Sequence, residues 1–349
     1  MTFHASTTPV GIREADLRDD REAERLDTFV RAHPQATPFH LPGWSRAVET
    51  GCRQRARYLV AERASGALAG VLPLAEMRSP LFGRALVSAG FGVGGGVLGD
   101  AVDELALGAW ALAERLGCPS VELRGGAGPA GWVMDDQTYL GFVRPLAASD
   151  DLELAAIPRK QRAEVRRALG NDLEVTVGTD AAALREHYRV YAESVRNLGT
   201  PVFPRNLFRA ALEDLDADVL TVRHRGRAVA SVLNLYLNGT VYPYWGGGTD
   251  AARALRANDR LYFALMAHAR RRRCTRFDFG RSKAGTGAAA FKKNWGFTPE
   301  PLCYWSRSDG PPRAVNPLNP RYAAMVRTWK RLPLPVANTL GPLIARGLG

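Results

Sequence analysis

The feature that most constrains this chain is that it runs through the same order of elements twice. Gly66–Leu74 reads as a turn followed by a strand, and Gly226–Tyr236 has the same shape. A second strand ending in glycines follows in each case, Leu86–Gly96 and then Val241–Gly248. Next comes an amphipathic helix, near Asp100–Leu116 and near Asn258–Arg272, and a short strand, Ser120–Arg124 and Thr275–Gly280. Each half closes on a Gly-Phe pair, Gly141-Phe142 and Gly296-Phe297, and corresponding features lie about 150 to 160 positions apart. Apolar residues alternate in runs such as Ala230–Leu237, as half-buried strands require, and recur at three- and four-residue spacing in Leu261–Ala269, as a helix requires. Strands alternating with helices predict an α/β (α+β) fold of two tandem units, each a mixed sheet flanked by helices.

Length agrees with duplication, since 349 residues support two medium cores. The formal net charge of +12 favours anionic partners. It is almost all arginine, with lysine only at Lys160, Lys283, Lys292, Lys293 and Lys330, and such a skew also follows from a GC-rich genome. Cys52, Cys118, Cys274 and Cys303 are widely spaced, so neither a zinc site nor a disulfide framework is expected. No apolar run approaches the ~20 residues of a membrane span, and Asp16, Asp19 and Asp20 do not suit a signal peptide. A cytoplasmic protein is expected.

Three units are expected: an N-terminal unit over residues 1–150, a second over 151–310, and a basic amphipathic tail over 311–349. The second opens on a basic helix, Pro158–Leu169, with proline in its first turn. A strand, Leu173–Val177, and two helices, about Asp180–Asn197 and Pro204–Asp214, follow.

This order of elements resembles the GNAT acyltransferase fold, and two copies in one chain resemble the FemAB-like family. The stretches that carry the likeness are Ile157–Arg167, Tyr191–Pro204 and Phe277–Phe297. They look like the branch found beside exosortase (PEP-CTERM) and exopolysaccharide genes, as do Asn316–Pro320, Trp329–Pro335 and Gly341–Ile344. The resemblance implies an acyltransferase that passes an aminoacyl or other N-acyl group to an amine of a cell-envelope, peptidoglycan or exopolysaccharide precursor. The implied partners are an anionic, nucleotide- or lipid-linked sugar as acceptor and aminoacyl-tRNA or acyl-CoA as donor. Phe291-Lys292 matches the family's Phe-Lys motif, which makes Lys292 the first catalytic candidate by resemblance.

The residues themselves suggest further candidates. Gly285-Thr286-Gly287 opens a helix whose free N–H groups favour an anion, and Arg281 and Lys283 precede it. Asp278, between Phe277 and Phe279 on a strand, points away from both and suits a base, a partner that orients Arg281, or a structural ion pair. Arg196, Asn197 and Thr200 form a polar cluster at a helix end, fit for substrate or for capping. Tyr244 and Trp245, with Tyr242, end a strand before three glycines and suit a pocket wall or a core. Lys160, Arg162 and Arg166 on the basic helix suit phosphate or a solvated face.

Gly90–Gly95 fits G-x-G-x-x-G, but the next strand offers only a mid-strand Glu122, so a dinucleotide site is not expected. GNAT enzymes hold the CoA pyrophosphate on a glycine-containing loop, and the corresponding stretch, Arg253–Asn258, has no glycine. That disfavours CoA as donor. Two other readings stay open: a CoA-dependent N-acetyltransferase, and a non-catalytic scaffold peripheral to the inner membrane, suggested by Trp329, Lys330, Arg331, Leu332 and Leu334 in the tail.

Overall fold

The computed structural model describes residues 10–80, 82–310 and 323–349. The first part of the expected tail, residues 311–322 with Asn316–Pro320, lies outside the described residues. The duplication is visible in two mixed sheets built alike. The first runs Val10–Glu14, Arg55–Arg63, Leu68–Ser79, Gly83–Ser88, Ser120–Arg124, Tyr304–Ser308, Val133–Asp135. The second runs Glu174–Gly178, Ala217–His224, Arg227–Leu237, Thr240–Gly248, Arg276–Asp278, Tyr139–Pro145, Ser282–Lys283. Each has one parallel pair at the same place: Gly83–Ser88 beside Ser120–Arg124, and Thr240–Gly248 beside Arg276–Asp278.

The sixth strand of each sheet comes from the other half. Tyr139–Pro145 pairs antiparallel with Arg276–Asp278 and Ser282–Lys283, and Tyr304–Ser308 pairs with Ser120–Arg124. The halves therefore exchange strands, and sheet membership changes before residue 139 and again before residue 304.

Helix Val102–Leu116 covers the first sheet with Leu105, Ala109, Leu112 and Ala113, and Ala257–Arg271 covers the second with Leu261, Leu265 and Ala269. Both show the apolar spacing of a core-facing helix. The halves also share one core. Helices Pro42–Cys52 and Arg205–Asp214, equivalent in the repeat, pack so closely that a Cβ on Gly51 would lie 2.3 Å from Leu207 Cα. Trp44, Tyr58 and Met77 of the first half join Phe208, Leu233 and Trp245 of the second in a single apolar cluster.

Two local details differ from the sequence expectation. The first half's second strand stops at Ser88, and the glycines after it form a loop. The basic tail divides into two helices, Ala323–Arg331 and Leu334–Ala345, with Pro333 at the junction.

Candidate active site

A parallel pair that separates at its C-terminal end leaves a wedge, and each half has one. In the second half the pairing is Thr240 with Arg276 and Val241 with Phe277, after which Thr240–Gly248 continues beside Arg227–Leu237 and leaves the Arg276–Asp278 side. The register against Arg227–Leu237 shifts between Leu233 and Asn234, opposite Trp245 and Pro243, so Tyr244 is the extra residue of a β-bulge. Pro243, which has no N–H for a ladder, sits at the irregularity. The bulge aims Tyr244 into a cavity of about 260 Å³ between the halves. Trp245, Gly246, Tyr262, Phe279, Gly280, Arg281 and Lys292 line it together with Phe203, and the first half contributes Phe91 and Val93.

Lys292 is buried on the inner face of helix Gly287–Asn294. Its Nζ donates to the carbonyl oxygens of Gly280 and Arg281, both at 3.0 Å, and lies 5.2 Å and 5.4 Å from the Phe142 and Phe279 ring centres. Burial pulls its pKa down to about 7, with Arg281 acting in the same direction and Asp278 against it. Phe291 fixes the helix by packing on Tyr262, Phe279 and Trp295, while Lys293 is exposed. Asp278 accepts the Gly280 N–H at 2.8 Å, and burial pushes its pKa up to about 6, opposed by that hydrogen bond and by Lys292. Burial thus draws an ammonium and a carboxyl that feel each other's charge toward neutrality.

Arg281 is positioned by tyrosines, and Asp278 does not orient it. Its Nη1 donates to Tyr304 Oη at 2.6 Å, and its guanidinium lies 4.5 Å from the Tyr139 ring centre. No carboxylate pairs with it among the described residues, and it lines the cavity wall. Lys283 Nζ is 5.6 Å from the same Tyr139 ring. Tyr139 and Tyr304 open the two exchanged strands, and their ring centres are 5.0 Å apart where the halves meet. Tyr244 donates its hydroxyl to the Phe91 carbonyl, tying the first half to the cavity wall. Trp245 stacks on Trp44 and packs on Phe208.

The other sequence candidates lie away from the cavity. Thr286 caps helix Gly287–Asn294, accepting from the Ala289 N–H at 3.3 Å and donating to Lys283 O at 2.8 Å, and Gly285 and Gly287 are exposed beside it. Asn197 donates to Asp250 at 2.6 Å, and Arg196 donates to the Lys330 carbonyl at 3.3 Å, with Gly199 ending their helix at φ 84°. On helix Arg159–Leu169, Lys160 and Arg166 are exposed and Arg162 is half-buried. The polar work of that helix is done by residues the sequence reading passed over. Gln161 donates to Asp259 at 2.6 Å, Glu164 pairs with Arg256, and beyond the helix Asn171 donates to Leu255 O at 2.8 Å. Residues Asp250–Leu255, where a GNAT enzyme would present its pyrophosphate loop, form a short helix. Arg270 and Arg272 are held in ion pairs with Asp150, Glu153, Asp216 and Asp218.

The sequence reading missed Phe91, Val93, Phe203 and Tyr262, which resemble any core aromatics or aliphatics. Tyr139 and Tyr304 carried a detectable signal, because they are 304 − 139 = 165 residues apart and thus near the repeat offset.

Residues 158–293 match the family described as acetyltransferase (GNAT) domain. No curated protein matches the chain. Among solved structures, FemX is similar with a TM-score of 0.66 at 16% identity, over 84% of this chain and 96% of that one. L-PGS from Bacillus licheniformis is similar with a TM-score of 0.56 at 15% identity, over 88% and 97%. A tandem GNAT protein from the clavulanic acid biosynthesis pathway is similar with a TM-score of 0.53 at 13% identity, over 87% and 100%. The paired sheets, the splayed strands and these likenesses together make the chain a protein of tandem GNAT fold, with two mixed sheets flanked by helices.

Proposed function

We propose that the chain is a FemAB-like acyltransferase that joins an aminoacyl or other acyl group to an amine on a cell-envelope or exopolysaccharide precursor, with the reaction centred on Lys292. The observation that carries this reading is the buried Lys292 lining the cavity at the splayed strand pair of the second half. In the reaction the amine nitrogen bonds to the acyl carbon, the bond to the leaving oxygen or sulfur breaks, and the proton lost by the amine ends on the leaving group. A protonated Lys292 has three donors, two of which are held by the Gly280 and Arg281 carbonyls. The third is available to the oxyanion of the tetrahedral intermediate. Asp278, with its raised pKa, suits the proton transfer, and Arg281 suits an anionic group of the substrate.

The helix at Asp250–Leu255, held at its end by Asn171 on Leu255 O, favours a donor other than CoA. The resemblance to the FemAB-like family favours aminoacyl-tRNA, and the exosortase-associated branch favours an exopolysaccharide-related acceptor.

The test incubates the full chain with a radiolabelled mixed aminoacyl-tRNA pool and a bacterial extract of nucleotide- and lipid-linked precursors. Alkali-stable amide label is expected, and is expected to disappear with Lys292→Met. Label transfer from acetyl-CoA in place of aminoacyl-tRNA, or calorimetric binding of CoA at micromolar concentration, overturns the choice of donor. Undiminished transfer by Lys292→Met overturns the site.

A further inference from the structure

The last two helices form a surface that the proposed chemistry does not use. Ala323–Arg331 and Leu334–Ala345 both lie against helix Ala181–Leu198. In the final helix Ala337, Gly341 and Ala345, four residues apart, face the body of the protein. A Cβ on Gly341 would lie only 3.0 Å from the Val202 nitrogen, so the helix seats directly on the segment whose next residue, Phe203, walls the cavity.

A different face looks outward. Val336, Leu340 and Leu343, at i, i+4 and i+7, are 42%, 42% and 58% exposed. The helix carries no charged side chain that would explain a water-facing position. Met325 on the neighbouring helix is 52% exposed, and Leu198 at the end of the supporting helix is 69% exposed. These five are among the few large aliphatic side chains exposed in the described residues, and they gather on three adjoining elements.

Charge identifies the occupant. No acidic residue follows Asp309, whereas Arg327, Lys330 and Arg331 are exposed on the helix next to the apolar stripe and Arg346 follows the final helix. Trp329 lies half-buried among them. An aliphatic stripe flanked by basic side chains and a tryptophan fits an anionic bilayer, because aliphatic side chains enter the acyl boundary while basic ones meet the lipid phosphates and tryptophan sits at the interface.

We propose that these two helices are a docking surface for an anionic phospholipid bilayer, with Val336, Leu340 and Leu343 as the inserting stripe and Arg327, Lys330 and Arg331 as its headgroup contacts. The surface stands independently of the reaction assigned to the cavity. Docking there sets Phe203, and with it one wall of the cavity, one helix away from the lipid.

The test is sedimentation of the full chain with vesicles of phosphatidylcholine alone and with roughly a third phosphatidylglycerol, at about 0.1 M salt. Binding to the anionic vesicles is expected to be at least about tenfold stronger and to weaken as salt rises. The double variant Leu340→Glu/Leu343→Glu should lose at least about tenfold in partitioning, as should Arg327→Glu/Arg331→Glu, whose side chains are fully outside the core. Far-UV circular dichroism establishes that each variant is folded. Equal binding to both vesicle types, or unchanged binding by folded variants, overturns the proposal. It is also overturned if light scattering shows a dimer that Leu340→Glu/Leu343→Glu converts to monomer, since the stripe then belongs to a second copy of the chain. None of these outcomes bears on aminoacyl transfer, which is measured separately.

Discussion

The two halves open the same strand pair and treat the gap in opposite ways. In the first half Leu86 pairs with Val121 and Val87 with Glu122, and the wedge beyond them is filled by the chain itself. The loop Gly90–Gly96 lies in it, held by the Trp44 indole on Gly90 O at 3.1 Å, by the Thr37 hydroxyl on Gly94 O, and by Arg124, whose Nη1 donates to Gly92 O at 3.1 Å and whose carbonyl accepts the Gly95 N–H at 3.0 Å. A Cβ on Gly96 would sit 2.0 Å from Gly125 O, so glycine at that position answers to close backbone contact. In the second half the wedge stays empty, and buried Lys292 looks into it. Duplication produced two equivalent clefts. One became structure, with Arg124 paired to Glu122, and the other kept an arginine that has no carboxylate partner among the described residues.

That contrast can be broken in several ways. The largest expected effect is on turnover: Lys292→Met should reduce transfer by about 100- to 1000-fold, while exposed Lys293→Met stays within about twofold. Equal losses would detach the chemistry from the open wedge. Next, Gly96→Ala should destabilise the protein by about 2–4 kcal/mol in denaturant unfolding, because backbone must move in the filled wedge. A neutral result would mean the first wedge is looser than its packing indicates.

The third effect concerns pH. Burial lowers the folded pKa of Lys292 from 10.5 to about 7, so between these values the unfolded chain binds more protons and stability rises with pH. The gain from pH 7 to 10 should be about 3 kcal/mol and should vanish in Lys292→Met. Transfer should fall over the same range as the ammonium loses its proton. Opposite trends in stability and activity would place both in one side chain, and parallel trends would separate them. Fourth, Arg281→Ala should raise KM by about tenfold with a smaller change in kcat if it receives an anionic group of the substrate, as proposed. The smallest effect is expected for Tyr244→Phe, which strips the Phe91 carbonyl of its donor across the halves and should cost about 1 kcal/mol.

Much of this was legible in the sequence because it is local. Helix Arg159–Leu169, strand Ser120–Arg124 and the helix start at Gly285-Thr286-Gly287 follow from periodicity, alternation and turn chemistry within a dozen residues. Tyr244 and Trp245 were legible as a pocket wall or as core, and they turn out to serve both, since each packs in the shared core and lines the cavity. The strand exchange was not legible. Tyr139–Pro145 alternates equally well for either sheet, and nothing in its own residues states which neighbour it will meet. The same limit hid the filling of the first wedge, because glycines before a helix look alike whether a ligand or another strand approaches them. Arg281 could be read as a cation, but its freedom from carboxylates depends on Tyr304, a residue contributed by the exchanged strand.

The exchange also bears on how the chain comes into being. Ser120–Arg124 must wait for Tyr304–Ser308, nearly the whole length of the second half later in synthesis. Until the ribosome has released those residues, the first sheet carries an open, pairing-competent edge, and its neighbour Val133–Asp135 has no strand to rest on. A nascent chain in this state is exposed to wrong pairing with its own copies, so folding should be slow and dependent on chaperones until the last strands arrive. Translation arrested before residue 304 should therefore yield aggregate and not a half-sized domain.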